Sequence, residues 1–413
     1  MTVEVINFGC RLNIAEGEAI RAGWSKGPDA SNTVIINSCA VTAEAERQAR
    51  QAIRRAARSG KTVFATGCAV RLDPDKWAEI AEVLPQRRGT RPAVSGAGHA
   101  RAFVEVQNGC DHDCTFCITR IARGPSRSLT PDSIVAAIQN IVENGQQEVI
   151  LTGVDLTSYE GGLASLVARI LFDVPGLPRL RLSSLDPAEV DAPLFDLLTN
   201  EPRLMPHVHL SLQSGDDMIL KRMKRRHNRA IAIDLVARLK SARPDIAMGA
   251  DLIAGFPTET DAMFAGSRAI IDDCDIMFGH IFPYSPRPGT AAALMPQVPV
   301  AIAKARAAEL RAANAVRKSA WLAGQVGTEV RVLVERSGIS GHAENFAQVT
   351  LPPSTPGSIK TVRITGTTGE TLDALDHPQT VYPELVEGLS FLDAISKKKD
   401  RASTSSASSE FLA

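Results

Sequence analysis

The stretch QNGCDHDCTFC, residues 107–117, decides how the rest of the chain is interpreted. It follows an apolar run at 102–107 and places Cys110, Cys114 and Cys117 with three and then two residues between them. Closely spaced thiols of this kind hold metals, and iron-sulfur clusters are commonly bound by such runs. Three thiols on a four-iron cube would leave one iron open to a small molecule. Zinc, with His112 as a fourth ligand, is the alternative.

This cysteine loop closes the first unit of a repeated strand-helix pattern. Six apolar strands alternate with helices, and the pattern ends at residue 282. A closed eight-stranded barrel typically takes about 250 residues, so this shorter block predicts a partial barrel of six units. The predicted strands are 102–107, 148–152, 180–184, 207–212, 248–254 and 276–282, and the helices between them are 131–144, 163–172, 191–199, 230–241 and 260–272.

Three more cysteines precede this block at a regular spacing. Cys10, Cys39 and Cys68 each follow a short apolar strand, at 3–8, 33–37 and 62–66 respectively, and a helix is predicted at 43–59. This order is typical of a parallel βαβ sheet. Because the carboxyl ends of parallel strands meet at one edge, all three thiols are expected to face the same crevice.

The hydrophobic pattern and the composition change twice in the remainder of the chain. A helix is predicted at 300–321, and the region 328–375 consists of short β runs broken by Gly, Pro and Ser, which indicates a small β-barrel of the size of an OB-fold. The connector 85–99, rich in Gly, Pro and Arg, predicts a domain boundary. The chain is therefore interpreted as an α/β protein with domains at 1–95, 96–323 and 324–375 and a disordered tail at 376–413.

The overall composition excludes several classes of protein. The 413 residues are 44% hydrophobic and carry 46 basic and 46 acidic side chains, which excludes a mainly disordered chain and a histone-like protein. No run approaches 18 apolar residues and the amino terminus lacks a signal-peptide pattern, so a cytoplasmic location without membrane contact is predicted. Reduced thiols are expected there, and the odd number of seven argues against a disulfide framework. Cys274 has no partner nearby and is expected in the core.

The cysteine loop at the end of the first βα unit resembles the radical S-adenosylmethionine (SAM) superfamily. With the amino-terminal cysteine domain and the small carboxy-terminal β-domain, the chain as a whole resembles the methylthiotransferases, whose last domain is called TRAM. The stretches that carry the resemblance are GCRLN (9–13), NSCAVT (37–42), TGC (66–68), LTGVDL (151–156), LSLQSGDD (210–217), DLIAGFPTE (251–259) and FPYSPRPGT (282–290).

The resemblance implies two 4Fe-4S clusters and SAM as cofactors. One cluster would be held by Cys110, Cys114 and Cys117 and would bind SAM, and the auxiliary cluster would be held by Cys10, Cys39 and Cys68. A deoxyadenosyl radical would activate an inert C–H bond, and the auxiliary cluster would carry the sulfur. Contacts to SAM are expected, by the same resemblance, from Gly153, Ser211, Gln213, Asp251 and Gly255. No side chain is assigned as a catalytic acid or base.

Basic clusters at 221–229, at 54–61 and at Arg120, Arg123 and Arg127 predict contact with the RNA backbone. Arg331, Arg336, Lys360 and Arg363 in the last domain point the same way. The family resemblance implies transfer RNA, bound at the anticodon stem-loop, as the partner. An electron donor and a sulfur source, neither identified by the sequence, are also required.

The motif Cys10-Arg11-Leu12-Asn13 and the stretch 37–42 resemble the branch that modifies threonylcarbamoyladenosine beside the anticodon. The alternatives are the branch acting on isopentenyladenosine and the branch acting on a ribosomal-protein aspartate. After Cys117 the sequence ITRIARGPSRSL lacks the Pro-Tyr pair of many relatives, so the substrate-side loop is expected to differ. An RNA-binding iron-sulfur or zinc protein without catalytic activity is the hypothesis from another class.

Overall fold

The computed structural model describes residues 3–24, 30–85, 89–95 and 99–376. The predicted disordered tail at 376–413 lies outside these residues, apart from the strand end at 376. Within the described part of the chain, no helix combines the length and apolar character needed to cross a membrane.

The amino-terminal sheet contains four parallel strands in chain order, which confirms the predicted βαβ architecture. Its central strand, TVIINS, is buried along its whole length, as its β-branched residues favour. The strands are β1 (Glu4–Asn7), β2 (Thr33–Ser38), β3 (Thr62–Gly67) and β4 (Glu82–Val83).

The helices of this sheet are α1 (Arg11–Trp24), α2 (Ala43–Arg58), α3 (Cys68–Leu72) and α4 (Pro74–Ala78). The hydroxyl of Thr42 caps α2 by accepting from the backbone N–H of Ala45 at 3.2 Å. Helix α1 was not predicted. Its buried face includes Asn13, Glu16 and Glu18, so it lacks the apolar stripe by which an amphipathic helix is identified.

The second block contains six parallel strand segments in chain order, which confirms the partial barrel. The third strand is interrupted at Ser183, where one half pairs with the second strand and the other half with the fourth. The strands are β6 (Ala102–Glu105), β9 (Glu148–Thr152), β10 (Arg179–Leu182) with β11 (Ser184–Leu185), β12 (His207–Gln213), β13 (Ala247–Ala254) and β14 (Ile276–Pro283).

Three short strands accompany the barrel. The strand β5 (Val94–Ser95) pairs antiparallel with β6, so part of the predicted connector 85–99 is an edge strand of the barrel sheet. A run of two residues is too short to be detected by periodicity. The strands β7 (Gln107–Asn108) and β8 (Arg127–Ser128) pair with each other around the cysteine loop.

Helices cover the outer face of the barrel, and one large apolar core lies between the two layers. Cys274 is buried in this core, as expected. The helices of this block are α5 (Ile118–Arg123), α6 (Pro131–Glu143), α7 (Leu163–Asp173), α8 (Ala192–Asn200), α9 (Asp217–Arg222), α10 (Arg229–Ala242), α11 (Asp261–Asp273) and α12 (Val300–Ala323). Single 3-10 turns occupy Ala30–Asn32, Leu156–Ser158, Pro187–Glu189 and Ala291–Leu294.

The predicted carboxy-terminal β-domain is a closed five-stranded barrel with its own apolar core. Its strands are β15 (Glu329–Val334), β16 (Ser340–Ala343), β17 (Gln348–Thr350), β18 (Ile359–Thr367) and β19 (Leu372–Asp376). Arg181 of the large barrel donates to the carbonyls of Ala343 and Glu344 at 2.9 and 2.7 Å. The small barrel is therefore joined to the amino ends of the large barrel's strands.

Candidate functional site

The three thiols of the cysteine loop lie at the carboxyl end of the first barrel strand. The loop is closed by two backbone hydrogen bonds, from Cys117 to the carbonyl of Cys114 at 3.2 Å and from Cys110 to that of Gly124 at 3.1 Å. All three thiols are free and half-buried. The fold therefore presents them together at the barrel mouth.

Polar groups surround these thiols on both sides. The backbone N–H of His112 donates to Cys110 Sγ at 3.4 Å, and Arg225 Nη1 donates to Cys114 Sγ at 3.5 Å. Cys110 Sγ in turn lies 3.5 Å from Asp155 Oδ2. Burial, with the nearby Asp155 charge, raises the pKa of Cys110 to about 12. A thiolate beside this carboxylate would need added positive charge, which a bound metal cluster supplies.

His112 is held by two carboxylates. Its Nε2 lies 3.3 Å from Asp155 Oδ2 and 3.2 Å from Glu189 Oε1, while Thr157 donates to the other Glu189 oxygen at 2.6 Å. The hydrogen bond to Glu189 raises the pKa of His112. Ligand atoms of Cys110, His112 and Asp155 lie within 4.8 Å of one another, whereas the zinc alternative requires His112 together with all three thiols. The imidazole is oriented by the carboxylates rather than by the other two thiols.

Gly153 lies against the side chain of Gln107. A Cβ at position 153 would come within 2.9 Å of Gln107 Oε1, and that oxygen accepts from the backbone N–H groups of Val154 and Asp155 at 3.0 and 2.9 Å. The expected close approach at Gly153 is therefore made by Gln107. The contact holds the loop that carries Asp155 beside the cysteine loop.

The other four residues predicted to contact SAM occupy different surroundings. Ser211 and Gln213 are half-buried at the carboxyl end of β12, where the strand register shifts and Gln213 has a positive φ. Asp251 lies deeper and is paired with His209 at 3.2 Å and His280 at 3.3 Å. Gly255 packs against α12, since a Cβ there would lie 2.4 Å from the Cβ of Ala303.

The three amino-terminal thiols lie at the carboxyl ends of β1, β2 and β3, close enough for their charges to act on one another, although their three sulfurs do not all lie within 4.8 Å of one another. A Cβ at Gly9 would lie 2.8 Å from Cys39 Sγ, so the segment before Cys10 passes directly over Cys39. Cys39 and Cys68 are buried and Cys10 is exposed. Burial raises the pKa of Cys68 to about 12, opposed by the charge of Arg123.

Arg123 corrects one sequence-based expectation. Its side chain is 1% exposed, so it is unable to contact RNA phosphates as the basic-cluster interpretation required. It donates to both carboxylate oxygens of Glu16 at 2.7 and 3.0 Å, to Asn13 Oδ1 at 2.6 Å and to Asn108 Oδ1 at 3.0 Å. Because Arg123 ends the helix after the cysteine loop, it joins the two thiol groups through one buried network.

The basic run 221–229 is corrected in the same way. Arg225, with its side chain 8% exposed, donates to Asp186 Oδ2 at 2.6 Å and to the carbonyl of Ser211 at 2.9 Å. Arg226 pairs with Glu189, and Arg229 pairs with Asp273. The run therefore largely stabilises the barrel mouth instead of offering free charges to phosphates.

Helix α1 brings Arg11 to the barrel interior. Its guanidinium lies 5.6 Å from the ring centroid of Phe346, a residue of the carboxy-terminal barrel. Burial, together with the charges of Arg101 and Arg181, lowers the pKa of Arg11 to about 10. The negative charge of Asp251 acts in the opposite direction and raises this pKa. On the other side, Arg287 pairs with Glu46 of α2 at 2.7 Å. The amino-terminal sheet thus covers the open side between β6 and β14.

Several site residues were missed in the sequence. Gln107, Asp155, Asp186, Glu189 and Arg225 lie next to the thiols or hold their neighbours, and Glu16 anchors Arg123. A usable signal existed for Asp155 and Asp186, since charged residues directly after barrel strands gather at the mouth. No comparable signal marks Glu16, which lies within an unpredicted helix.

Comparison with known proteins places this geometry in context. Residues 104–268 match the radical SAM superfamily, and residues 2–85 match the uncharacterized protein family UPF0004. Threonylcarbamoyladenosine tRNA methylthiotransferase MtaB from Rickettsia prowazekii is 43% identical, with 84% of this chain and 91% of that protein aligned. The tRNA-2-methylthio-N(6)-dimethylallyladenosine synthase of Anaeromyxobacter dehalogenans is 33% identical, over 81% of this chain and 83% of the relative.

Among solved structures, the chain is similar to the radical S-adenosylmethionine methyltransferase TsrM from Kitasatospora setae with tryptophan and aza-SAM bound. The TM-score is 0.51 at 16% identity, and the alignment covers 67% of this chain and 66% of that one. This likeness concerns the fold alone.

Proposed function

Because the chain belongs to the radical SAM methylthiotransferase family, we propose that it converts N6-threonylcarbamoyladenosine beside the anticodon of transfer RNA to its 2-methylthio derivative. The choice of substrate rests on sequence identity, which is 43% to the threonylcarbamoyladenosine relative and 33% to the dimethylallyladenosine relative. The chain is accordingly a transferase that acts on a transfer RNA, and we propose the cytoplasm as its location.

The cofactors of the family are two 4Fe-4S clusters and SAM. We propose that Cys110, Cys114 and Cys117 hold the cluster that binds SAM. Cys10, Cys39 and Cys68 would hold the auxiliary cluster. The donor sets support this assignment, since each consists of three free thiols grouped at a strand edge with an arginine directly beside one of them. When bound, the cofactors supply one-electron chemistry and the sulfur atom.

The residues around the barrel trio would orient and shield it. Arg225 donates to Cys114 and is fixed by Asp186, so its positive charge stays next to the thiolates. His112 donates its backbone N–H to Cys110. Hydrogen bonds to cluster sulfurs tune the cluster's potential, and these two donors would act in that way here.

The residues around the amino-terminal trio would perform a similar task from the other side. Arg123 donates through Nε to Cys68 Sγ at 3.2 Å, and Glu16 and Asn13 hold its remaining nitrogens. A buried cation at this place offsets the negative charge of thiolate ligands. It also ties the auxiliary site to the cysteine loop of the barrel, so that both sites would face one substrate.

The transfer RNA would approach along exposed basic groups that remain free of the site networks. Arg54, Arg55 and Arg58 lie exposed on α2, where together with Arg47 and Arg50 they line a concave surface. Lys and Arg supply most of the affinity for phosphates. The target base must leave its stack to reach the barrel mouth, which costs less in a loop than in a duplex. An electron donor and a sulfur source are further partners that the proposal requires.

The experiment that tests this function uses anaerobically reconstituted protein and anticodon stem-loop RNA that carries either threonylcarbamoyladenosine or dimethylallyladenosine. Mass spectrometry of the digested nucleosides should show the 2-methylthio product from the first RNA. Conversion of the second RNA alone would move the chain to the other branch, and conversion of neither would contradict the proposal. In cells, deletion of the gene should remove 2-methylthio-threonylcarbamoyladenosine from transfer RNA.

A further inference from the structure

The interior of the large barrel is polar, in contrast to its outer face. On β12 the residues that pack against the helices are apolar, namely Val208, Leu210 and Leu212. The residues on the opposite, interior side are His207, His209, Ser211 and Gln213. Such a column of polar side chains indicates a space that receives a polar ligand.

The lower part of this interior is lined by Arg101 and Arg181, each of which is paired with a carboxylate. Arg101 lies 3.1 Å from Glu148 and 2.6 Å from Glu335, and Arg181 lies 2.9 Å from Glu148. Phe346 covers them, with the guanidiniums of Arg101 and Arg181 at 5.4 and 5.0 Å from its ring centroid. These arginines have their partners within the protein.

Arg11 differs from them. It approaches Phe346 from the amino-terminal domain, and the negative charges of Glu148 and Asp251 raise its pKa. Among the described residues, however, it forms neither a hydrogen bond nor an ion pair, and none of its nitrogens is sealed from solvent. Asp251, a carboxylate of β13 whose charge acts on Arg11, lies within 3.3 Å of the imidazoles of His209 and His280. The donors of Arg11 are therefore available to a ligand that enters the barrel interior.

The charge balance of this region also indicates an anionic ligand. Four guanidiniums and three carboxylates lie in the group formed by Arg11, Arg101, Arg179, Arg181, Glu148, Asp251 and Glu335. Glu148 is shared by Arg101, Arg179 and Arg181, so guanidiniums outnumber carboxylates among these described residues. A planar anion such as a carboxylate can accept two hydrogen bonds from a guanidinium.

We propose that Arg11 forms a carboxylate subsite that binds the amino-acid end of the substrate's N6 substituent. This inference rests on the proposed function, since the threonylcarbamoyl group ends in a carboxylate whereas a dimethylallyl group carries no charge. In adenine the ring atoms C2 and C6 both border N1, and C6 carries N6, so C2 and the N6 substituent lie on the same edge of the base. A base whose C2 faces the thiol trios therefore extends its N6 substituent along the same side, and Arg11 is the neighbour of Cys10 in the chain.

The proposed role of Arg11 is limited to substrate binding. Arg11 would select the charged substituent and position the base, and it would take no part in the transfer of sulfur. His209 and His280 keep Asp251 engaged, so that the carboxylate of the substrate meets the guanidinium without a competing partner. Arg11 is thus a specificity and positioning residue.

The test compares wild-type protein, Arg11→Gln and Arg11→Lys on two stem-loop RNAs. One carries threonylcarbamoyladenosine, and the other carries the same nucleoside with its carboxylate converted to a carboxamide. We expect Arg11→Gln to lower kcat/KM on the charged RNA roughly 10- to 100-fold, the range for a lost charge-assisted hydrogen bond, mainly through KM. On the carboxamide RNA, wild type and Arg11→Gln should be equally slow. Arg11→Lys should retain part of the preference for the charged RNA.

Arg169→Gln is the matched control, because Arg169 is exposed on α7 and pairs with Asp173 on the outside of the barrel. It should behave as wild type on both RNAs. Equal losses of Arg11→Gln on charged and neutral RNA, or no loss on either, would overturn the subsite. If Arg11→Gln does not fold, Arg11→Lys without any preference between the RNAs overturns it as well. Wild type that leaves both RNAs unmodified would instead contradict the proposed function.

Discussion

Arg123 Nε lies 3.2 Å from Cys68 Sγ, although 55 positions separate the two residues in the chain. Arg123 ends the helix that follows the cysteine loop of the barrel, and Cys68 begins a helix of the amino-terminal sheet. A single guanidinium therefore lies between two groups of thiols that are separate in the sequence.

Replacing this guanidinium should destabilise the chain. Arg123→Gln leaves the Glu16 carboxylate buried without its cation, and such a loss costs about 3–5 kcal/mol of unfolding free energy. Urea unfolding of the metal-free protein measures it. Arg120→Gln is the matched control, because Arg120 lies on the same helix and pairs with exposed Asp113, so the expected loss is below about 1 kcal/mol. Equal losses in both variants would contradict the role of the buried pair.

The two thiol groups should separate in function. Cys114→Ala should abolish cleavage of SAM, whereas Cys39→Ala should keep this cleavage and lose sulfur insertion, because Cys39 belongs to the other group. Each variant should retain about four of eight iron atoms. Deoxyadenosine and methylthio product are measured together by mass spectrometry. Cys274→Ala, at a buried thiol away from both groups, should keep the full iron content. Normal product formation by Cys39→Ala would refute the auxiliary role.

Gly153 should tolerate no side chain. A Cβ at this position would lie 2.9 Å from Gln107 Oε1. It would disturb the two hydrogen bonds that this oxygen accepts from backbone N–H groups. We expect Gly153→Ala to slow SAM cleavage roughly tenfold, as a displaced positioning contact does. Gly23→Ala is the control, because no atom lies within 4 Å of the added Cβ in α1 and alanine favours helix. Undiminished cleavage by Gly153→Ala would show that the Gln107 contact is dispensable.

His207 should make the fold sensitive to acid. Burial, and the nearby charge of Arg181, hold the pKa of His207 well below its ordinary value. The unfolded chain then binds a proton that the folded chain does not, so stability falls as pH drops below about 6.5, by up to about 1.4 kcal/mol per pH unit. His207→Phe should weaken this dependence in urea unfolding at pH 7.5 and 5.5. Parallel pH dependences in the two proteins would refute the assignment to His207.

The exposed arginines of α2 should contribute to RNA affinity. Replacing Arg54, Arg55 and Arg58 together by Gln should weaken binding of the stem-loop and reduce the steepness of its salt dependence, because fewer counterions are released. Fluorescence anisotropy at several salt concentrations measures both effects. Arg238→Gln, at an exposed arginine of α10 that pairs with Asp234, is the control for lost surface charge. An unchanged salt slope in the triple variant would place the RNA elsewhere.

Local patterns in the sequence determined most of the architecture. The alternation of apolar strands with helices predicted the six barrel strands to within a residue or two, and the strand-end positions of Cys10, Cys39 and Cys68 predicted their common edge. These features rest on hydrophobic periodicity and on the geometry of parallel sheets, both of which act over short stretches of chain.

Only the tertiary structure decided which charged residues serve the site. Arg123 and Arg225 resemble any other arginine in a basic run, yet both are buried against carboxylates that are distant in sequence. Arg11, in contrast, has no carboxylate partner among the residues that the structure describes. Ion pairing depends on distances of a few ångströms between segments far apart in the chain, and neither periodicity nor composition carries that information.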